Sequence, residues 1–323
     1  MPNIDANGIS LHYEARGNPE HPVIVLVMGL GVQMILWPEP FCQMLVDRGF
    51  YVVRFDNRDA GLSTQLNELG TPNIPLQYMR YMMGLSVRAP YSLDDMAMDT
   101  SALIGALGLP RVHLVGASMG GMIAQNLAAS LPSRVASLTS IMSTTGRRSL
   151  PKASWRAMRA ILSRPAKPKD IQAAVERMMY VINTISSRTY RPDQVRLRAL
   201  CELHVSRRNN PPGGARQIAA IAASDDRTKI VRQIKVPTLV LHGDQDELVP
   251  YAAGLETARA IREGGGDARS VIVEGMGHDL PEPLWPRLTD EIAQHCQAAE
   301  AAAEKKRSVI SSEFCLPEQR AQR

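Results

Sequence analysis

Three residues in chain order could together make a nucleophile: Ser118, Asp246 and His278. A serine hydroxyl is a poor nucleophile until a neighbouring base takes its proton. An imidazole can take it, and a carboxylate on the far side of the ring holds that imidazole in the required tautomer. Ser118 lies in Gly116–Ala117–Ser118–Met119–Gly120, a G-x-S-x-G pattern. With Gly at about 7% of residues and Ser taken as similar, three fixed positions match by chance roughly 0.1 times in such a length. Alone, the pattern also fits a glycine-rich turn between a core strand and a core helix. A lone Asp after a strand, or a lone His after a glycine, fits an ordinary turn or loop. The elements that carry the three residues must decide.

Those elements alternate. Asn7–Gly8 marks a hairpin within residues 4–16, and apolar strand runs follow at Val23–Met28, Phe50–Phe55, Val112–Ala117, Val135–Ile141, Val236–Leu241 and Ser270–Val273. Helices are expected at Phe41–Arg48, from the Ser92–Asp95 capping box to Leu107, from Met119 to Leu131, at Tyr251–Ile261 and from Leu284 to Lys306. Strands alternating with helices predict an α/β fold with a mostly parallel sheet, whose active residues sit at the carboxyl ends of the strands. Gly29–Gly31, Ser118, Asp246 and His278 all fall at such ends.

After Ser143 the alternation breaks. Residues 146–230 read as short helices, with Trp155, Met158 and Leu162 on one face and Ile171, Val175, Met178 and Ile182 on another. We expect a helical cap inserted after the sixth strand, a core of residues 1–145 and 231–307, and a loose tail at 308–323. Thr71–Pro90 is rich in Pro and Met, and Met79, Met82 and Met83 suit an adaptable apolar wall beside a pocket.

Composition narrows the function. The chain has 323 residues, 45% of them hydrophobic, and can bury a large core. No apolar run reaches 18 residues, so no membrane span is expected. The opening MPNIDANGIS has neither a charged leader nor an apolar stretch, so no secretory signal is expected either. Cys42, Cys201, Cys296 and Cys315 are scattered without C-x-x-C spacing, which fits reduced thiols in a cytoplasmic protein and disfavours zinc or a disulfide framework. No metal-ligand cluster or cofactor motif is evident. Between Arg147 and Lys235 stand 20 Lys/Arg against 6 Asp/Glu, a local +14, while the remainder carries −9 within a net +5. Solvated helix faces would account for such a block, as would attraction of anionic substrates or a membrane surface. Nucleic acid is not expected, because no aromatic interleaving accompanies the charge.

The motifs VMGLG, FDNRDAGLST, GASMGG, VPTLVLHGDQDELVP and EGMGHDLP carry a family resemblance. To about residue 300 the chain resembles the α/β-hydrolase family, and within it the anthracycline methylesterase branch, whose known member removes a methyl ester from aclacinomycin. The resemblance implies Ser118 as nucleophile, His278 as general base, Asp246 as the acid, and the N–H groups of Leu30 and Met119 as the oxyanion hole. It implies a cofactor-free serine hydrolase acting on a small-molecule carboxylic ester through an acyl-enzyme. A carbon–carbon hydrolase or perhydrolase with the same triad stays open, as does a slow-turnover receptor on the same fold. Asp244 also follows the Val236–Leu241 strand, but the resemblance favours Asp246, since the family pattern G-x-x-D runs from Gly243 to Asp246. Two positions depart from the family pattern: Met28, where a His-Gly pair is common, and Asp59, where D-x-R-G-x-G-x-S has glycine. Met28 removes no backbone donor, and Asp59 is expected to alter a turn beside Arg58.

Overall fold

Asn7 and Gly8 both take positive φ, 53° and 76°, the backbone a two-residue hairpin needs, and they join β1 (Asn3–Ala6) to β2 (Ile9–Arg16). The computed structural model describes residues 2–166 and 170–314, the side chains of 306–314 excepted. The strands β3 (Val23–Val27), β4 (Tyr51–Phe55), β5 (Val112–Ala117), β6 (Val135–Ile141), β7 (Thr238–Gly243) and β8 (Ala268–Val273) complete one sheet. Its order is β1-β2-β4-β3-β5-β6-β7-β8. Only the β1–β2 and β2–β4 pairings are antiparallel.

Both faces of this sheet are covered, which is why β3 is apolar without interruption and β5 and β6 are buried along their whole length. In β3, Val23, Val25 and Val27 enter the core on one face, and Ile24 and Leu26 enter the core on the other. The first face packs against α3 (Leu93–Ala106), α4 (Met119–Ser130) and α10 (Ala252–Glu263) through Leu103, Ile123, Leu127 and Ile261. The second packs against α1 (Glu39–Val46) and α11 (Trp285–Phe314) through Phe41, Leu45, Leu288 and Ile292. The Ser92 hydroxyl and the Asp95 carboxylate cap α3 reciprocally, as the sequence leads one to expect.

Between these come α2 (Ile74–Met82) and, from β6 to β7 among the described residues, the helices α5 (Trp155–Ile161), α6 (Ile171–Ile185), α7 (Gln194–Arg207), α8 (Pro211–Ser224) and α9 (Thr228–Val231). The Pro/Met-rich stretch is thus partly helical. Asn73 caps α2 with its side chain and Pro75 sits in the first turn, where a missing N–H costs nothing. Trp155 and Ile171, expected on packed faces, are 74% and 63% exposed. Both open their helices and face away from the packed side, which Ala157 and Ala174 occupy in the same first turns. The last helix runs past 306 to Phe314, and the rest of the expected tail, 315–323 with Cys315, lies outside the described residues.

One helix of the insertion is keyed into the core. Gly213, Arg216, Gln217 and Ala220 recur at helical spacing on α8 and all are buried. A Cβ at Gly213 would meet the Asp59 carbonyl oxygen at 2.5 Å. Arg216 donates through Nε and Nη2 to both oxygens of Asp59, at 2.8 and 2.6 Å, and neither side chain is exposed. Tyr91 Oη donates to the same carboxylate, as does the Leu66 N–H. Burial alone would raise the Asp59 carboxyl, but these donors more than offset it and hold it below the usual carboxylate range. The departure from glycine at 59 is therefore half of an ion pair, held at φ 67°. Arg216→Met leaves that carboxylate buried and unpaired and should cost about 3–5 kcal/mol. Adding Asp59→Gly should restore much of this, because glycine accepts the positive φ and no charge is stranded. Urea unfolding of the two single variants and the double variant measures the difference.

Candidate active site

Ser118 occupies a backbone conformation that an L-residue rarely adopts, φ 55° and ψ −119°, between β5 and α4. Two glycines allow it. A Cβ at Gly116 would lie 2.2 Å from the Gly120 carbonyl oxygen, and one at Gly120 would lie 2.1 Å from the Val27 carbonyl oxygen. The turn is therefore pressed between the start of α4 and the end of β3. Its strain is held by backbone bonds: Ser118 N–H donates to Ile141 O at 2.9 Å, and Gly121 N–H donates back to Ser118 O at 2.9 Å. The Ser143 hydroxyl donates to Ser118 O as well.

The structure brings the three sequence-selected residues together. His278 Nε2 lies 3.0 Å from Ser118 Oγ, and His278 Nδ1 lies 2.7 Å from Asp246 Oδ2. The other oxygen of Asp246 accepts the N–H groups of Leu248 and Val249 at 2.9 and 2.8 Å. His242, fully buried, brings Nε2 to 3.3 Å from Asp246 Oδ2. Burial by itself would raise the Asp246 carboxyl, but His278 and His242 outweigh it and hold the group well below the usual carboxylate range. An ionised Asp246 fixes the Nδ1–H tautomer of His278 and leaves Nε2 free to accept the serine proton. Asp244 does something else: its Oδ1 accepts the Gly275 N–H at 2.7 Å and shapes the turn before His278.

Leu30 and Met119 are also placed beside the serine. A Cβ at Gly29, next to Leu30, would sit 3.2 Å from Ser118 Cβ, and Met119 opens α4. Among the described residues, neither the Leu30 N–H nor the Met119 N–H has a protein acceptor. The loop bearing Leu30 is pinned on every side. Asn57 Nδ2 donates to Met28 O at 2.9 Å, and Gly31 N–H donates to Gln217 Oε1 at 2.7 Å. Gln217 Nε2 donates in turn to Arg58 O, and Gln33 Nε2 donates to the His204 and Arg208 carbonyls. Sequence reasoning found none of these supports. Gln217 lies 186 residues from Gly31, and nothing local in α8 marks it.

These groups open into one cavity of about 1860 Å³, well above the roughly 300–1,000 Å³ of ordinary small-molecule sites. Ser118 and His278 line it, with Met28, Leu30 and Met119 from the core and helices α5 to α8 opposite. Met82 joins this lining, whereas Met79 and Met83, likewise exposed methionines of the same stretch, lie outside it. Among the described residues no group of three His, Cys, Asp or Glu side chains is placed to hold a metal ion, and no helix is long and apolar enough to cross a membrane.

Residues 22–174 match the family described as alpha/beta hydrolase fold. A rhodomycin D methylesterase of Streptomyces sp. strain C5 is 25% identical over 317 residues, covering 92% of this chain and 98% of that protein. This chain is a hydrolase with the α/β-hydrolase fold. Solved structures share the hydrolase's architecture. The enol-lactonase of Burkholderia xenovorans LB400 superposes with a TM-score of 0.68 at 23% identity, covering 92% of this chain and all of that one. The meta-cleavage product hydrolase of Pseudomonas fluorescens IP01 gives 0.68 at 18% identity, covering 93% and 98%.

Asp279, which the sequence reading passed over, also lines the hydrolase's cavity beside His278. Burial pushes its carboxyl up to about 6, against the opposing N–H of Ser187 at 3.1 Å. A carboxyl whose folded-state value is raised binds protons that the unfolded chain has released, so stability falls as pH climbs from about 4 to about 6. Asp279→Asn keeps an acceptor for Ser187 and removes the titration. Its melting temperature should match the parent's at pH 4 and exceed it at pH 8. Equal differences at both pH values would remove Asp279 as the cause.

Proposed function

We propose that the hydrolase cleaves carboxylic esters through an acyl-enzyme on Ser118. The observation that carries this reading is the continuous line of hydrogen bonds from Ser118 through His278 to Asp246. Ser118 Oγ attacks the ester carbonyl while His278 Nε2 takes its proton, and Asp246 stabilises the imidazolium that results. The carbonyl oxygen becomes an oxyanion, received by the Leu30 and Met119 N–H groups. Those donors are free for it, and the positive end of α4 adds to their field. His278 then returns the proton to the departing alkoxide, and later draws one from the water that releases the acid.

The helices at 146–230 act in this reading as a cap over a core formed by 1–145 and 231–307. The size and apolar lining of the cavity favour a bulky ester. The methylesterase relative, alike over nearly its whole length, supports an ester over other acyl groups.

Ser118→Ala should abolish ester turnover and fluorophosphonate labelling while melting like the parent, and labelling retained at another serine would sink the assignment. The two neighbouring acids offer a sharper check. Asp246→Asn should lower kcat by about 10⁴, the loss seen when a triad histidine takes the wrong tautomer. Asp244→Asn should retain most of kcat, since its carboxylate only shapes a turn. The opposite ranking at saturating substrate would move the acid to Asp244.

Gln217 gives a third check. Gln217→Met removes the acceptor that holds Gly31 N–H and loosens the loop bearing Leu30. We expect kcat to fall about 10-fold or more with KM within about 2-fold, because an oxyanion donor acts in the transition state. A rise in KM at unchanged kcat would make Gln217 a part of the cavity wall only.

A further inference from the structure

The cavity has two chemically different ends, and helix α6 measures the distance between them. Ala174, Arg177, Met178, Val181, Ile182 and Ile185 line the cavity as one stripe at helical spacing. At one end, Ile185 O accepts the backbone N–H of His278 at 2.8 Å, so this end sits on the histidine itself. At the other end stands the stripe's single charge, Arg177. Eight residues at 1.5 Å each put it about 12 Å along the helix axis from Ile185.

Arg177 is partly buried and meets no carboxylate among the described residues. Its Nε and Nη2 donate to the Ser163 and Ile161 carbonyls at the end of α5, at 3.0 to 3.3 Å. Nη1 has no acceptor among the described residues. Burial lowers its pKa from the ordinary arginine value, and no acid opposes that. The acids on the cavity wall are engaged elsewhere. Asp59 pairs with Arg216, Asp225 with Arg148 and Glu282 with Arg196. Asp193 caps α7, and Asp279 stands beside His278 at the opposite end. Among the described residues, nine Lys/Arg of the basic block line the cavity against five acids, so its wall is net positive. An uncompensated cation in an apolar wall costs desolvation energy that a bound anion would offset.

We infer that Arg177 receives a carboxylate at the distal end of the substrate, which is therefore an elongated apolar ester with an anionic group about 12 Å from the scissile carbonyl. This rests on the ester reading above and names the substrate class for that site. Nη1 supplies a charge-assisted hydrogen bond, and Met178, Val181 and Ile182 face the apolar body between the ends.

The test compares esters of equal length with and without the terminal carboxylate, on either side of the ester. One pair is the p-nitrophenyl half-ester of decanedioic acid against p-nitrophenyl decanoate. The other is O-acetyl-10-hydroxydecanoic acid against decyl acetate. We expect the parent enzyme to favour the anionic member of at least one pair by 10-fold or more in kcat/KM, mainly through KM. Arg177→Met should reduce that preference to about 2-fold or less while turning over the neutral ester within about 3-fold of the parent. A role confined to capping α5 would lower both esters alike and leave the ratio unchanged, which overturns the inference. So would the lack of any preference in the parent. A series of half-esters tests the spacing without any variant: the preference should peak near ten carbons and vanish at six. A flat series refutes the 12 Å assignment. Failure of the parent to hydrolyse even the neutral esters would instead strike at the ester reading beneath it.

Discussion

The packing of the Ser118 turn against the end of β3 governs the rest of the site. Gly116 and Gly120 let three stretches of backbone approach to distances that no Cβ would tolerate. Ser118 is thereby forced into positive φ, and its hydroxyl is presented at the carboxyl edge of the sheet. Strain of this kind costs of order 1–3 kcal/mol and persists only where surrounding structure over-determines it. Here the fully buried strands β3, β5 and β6 supply that surplus. The same approach sets the Gly29–Leu30 backbone against the serine, so the candidate nucleophile and the candidate oxyanion donors come from one packing event.

What hangs over this turn is partly anchored to it. Helix α8 meets the core through the Asp59–Arg216 ion pair and hands Gln217 to the loop that carries Leu30. A glycine at 59 would have given the turn its backbone freedom but no charge for Arg216. The aspartate supplies both functions, since a short polar side chain tolerates the left-handed region. The insertion is thus joined to the chemistry by buried polar contacts. Its cavity-facing sides, from α5 to α8, remain free to define a large and mostly apolar chamber with a positive wall.

Much of the fold was legible in the sequence, for physical reasons that are local. Apolar-rich runs marked β3 to β8, because the central strands are buried on both faces and even the edge strand β8 buries part of its length. Asn7–Gly8 gave the hairpin, and the Ser92–Asp95 box gave the start of α3. Chain order then placed Ser118, Asp246 and His278 at strand ends, and alternation placed those ends on one edge of the sheet. The helical character of Ile74–Met82 was hidden because α2 buries none of its residues, so it shows no core-facing stripe.

The sequence by itself determined the strands, the glycine-flanked serine turn and the candidates Ser118, Asp246 and His278. The strands and the turn follow from short-range patterns of apolar and glycine positions, the acid and the histidine from their order at successive strand ends and the family resemblance. Tertiary structure alone decided the supports. Arg216 lies 157 residues from Asp59, and Gln217 lies 186 residues from Gly31. Asp244 and Asp246 are separated by which way each carboxylate points, toward the Gly275 turn or toward His278. The direction of the basic block was decided there too, since composition counts charges but only packing says which cations keep an acid beside them. A pairing between distant segments leaves no periodic trace in either one, so it appears only when the chain has closed around it.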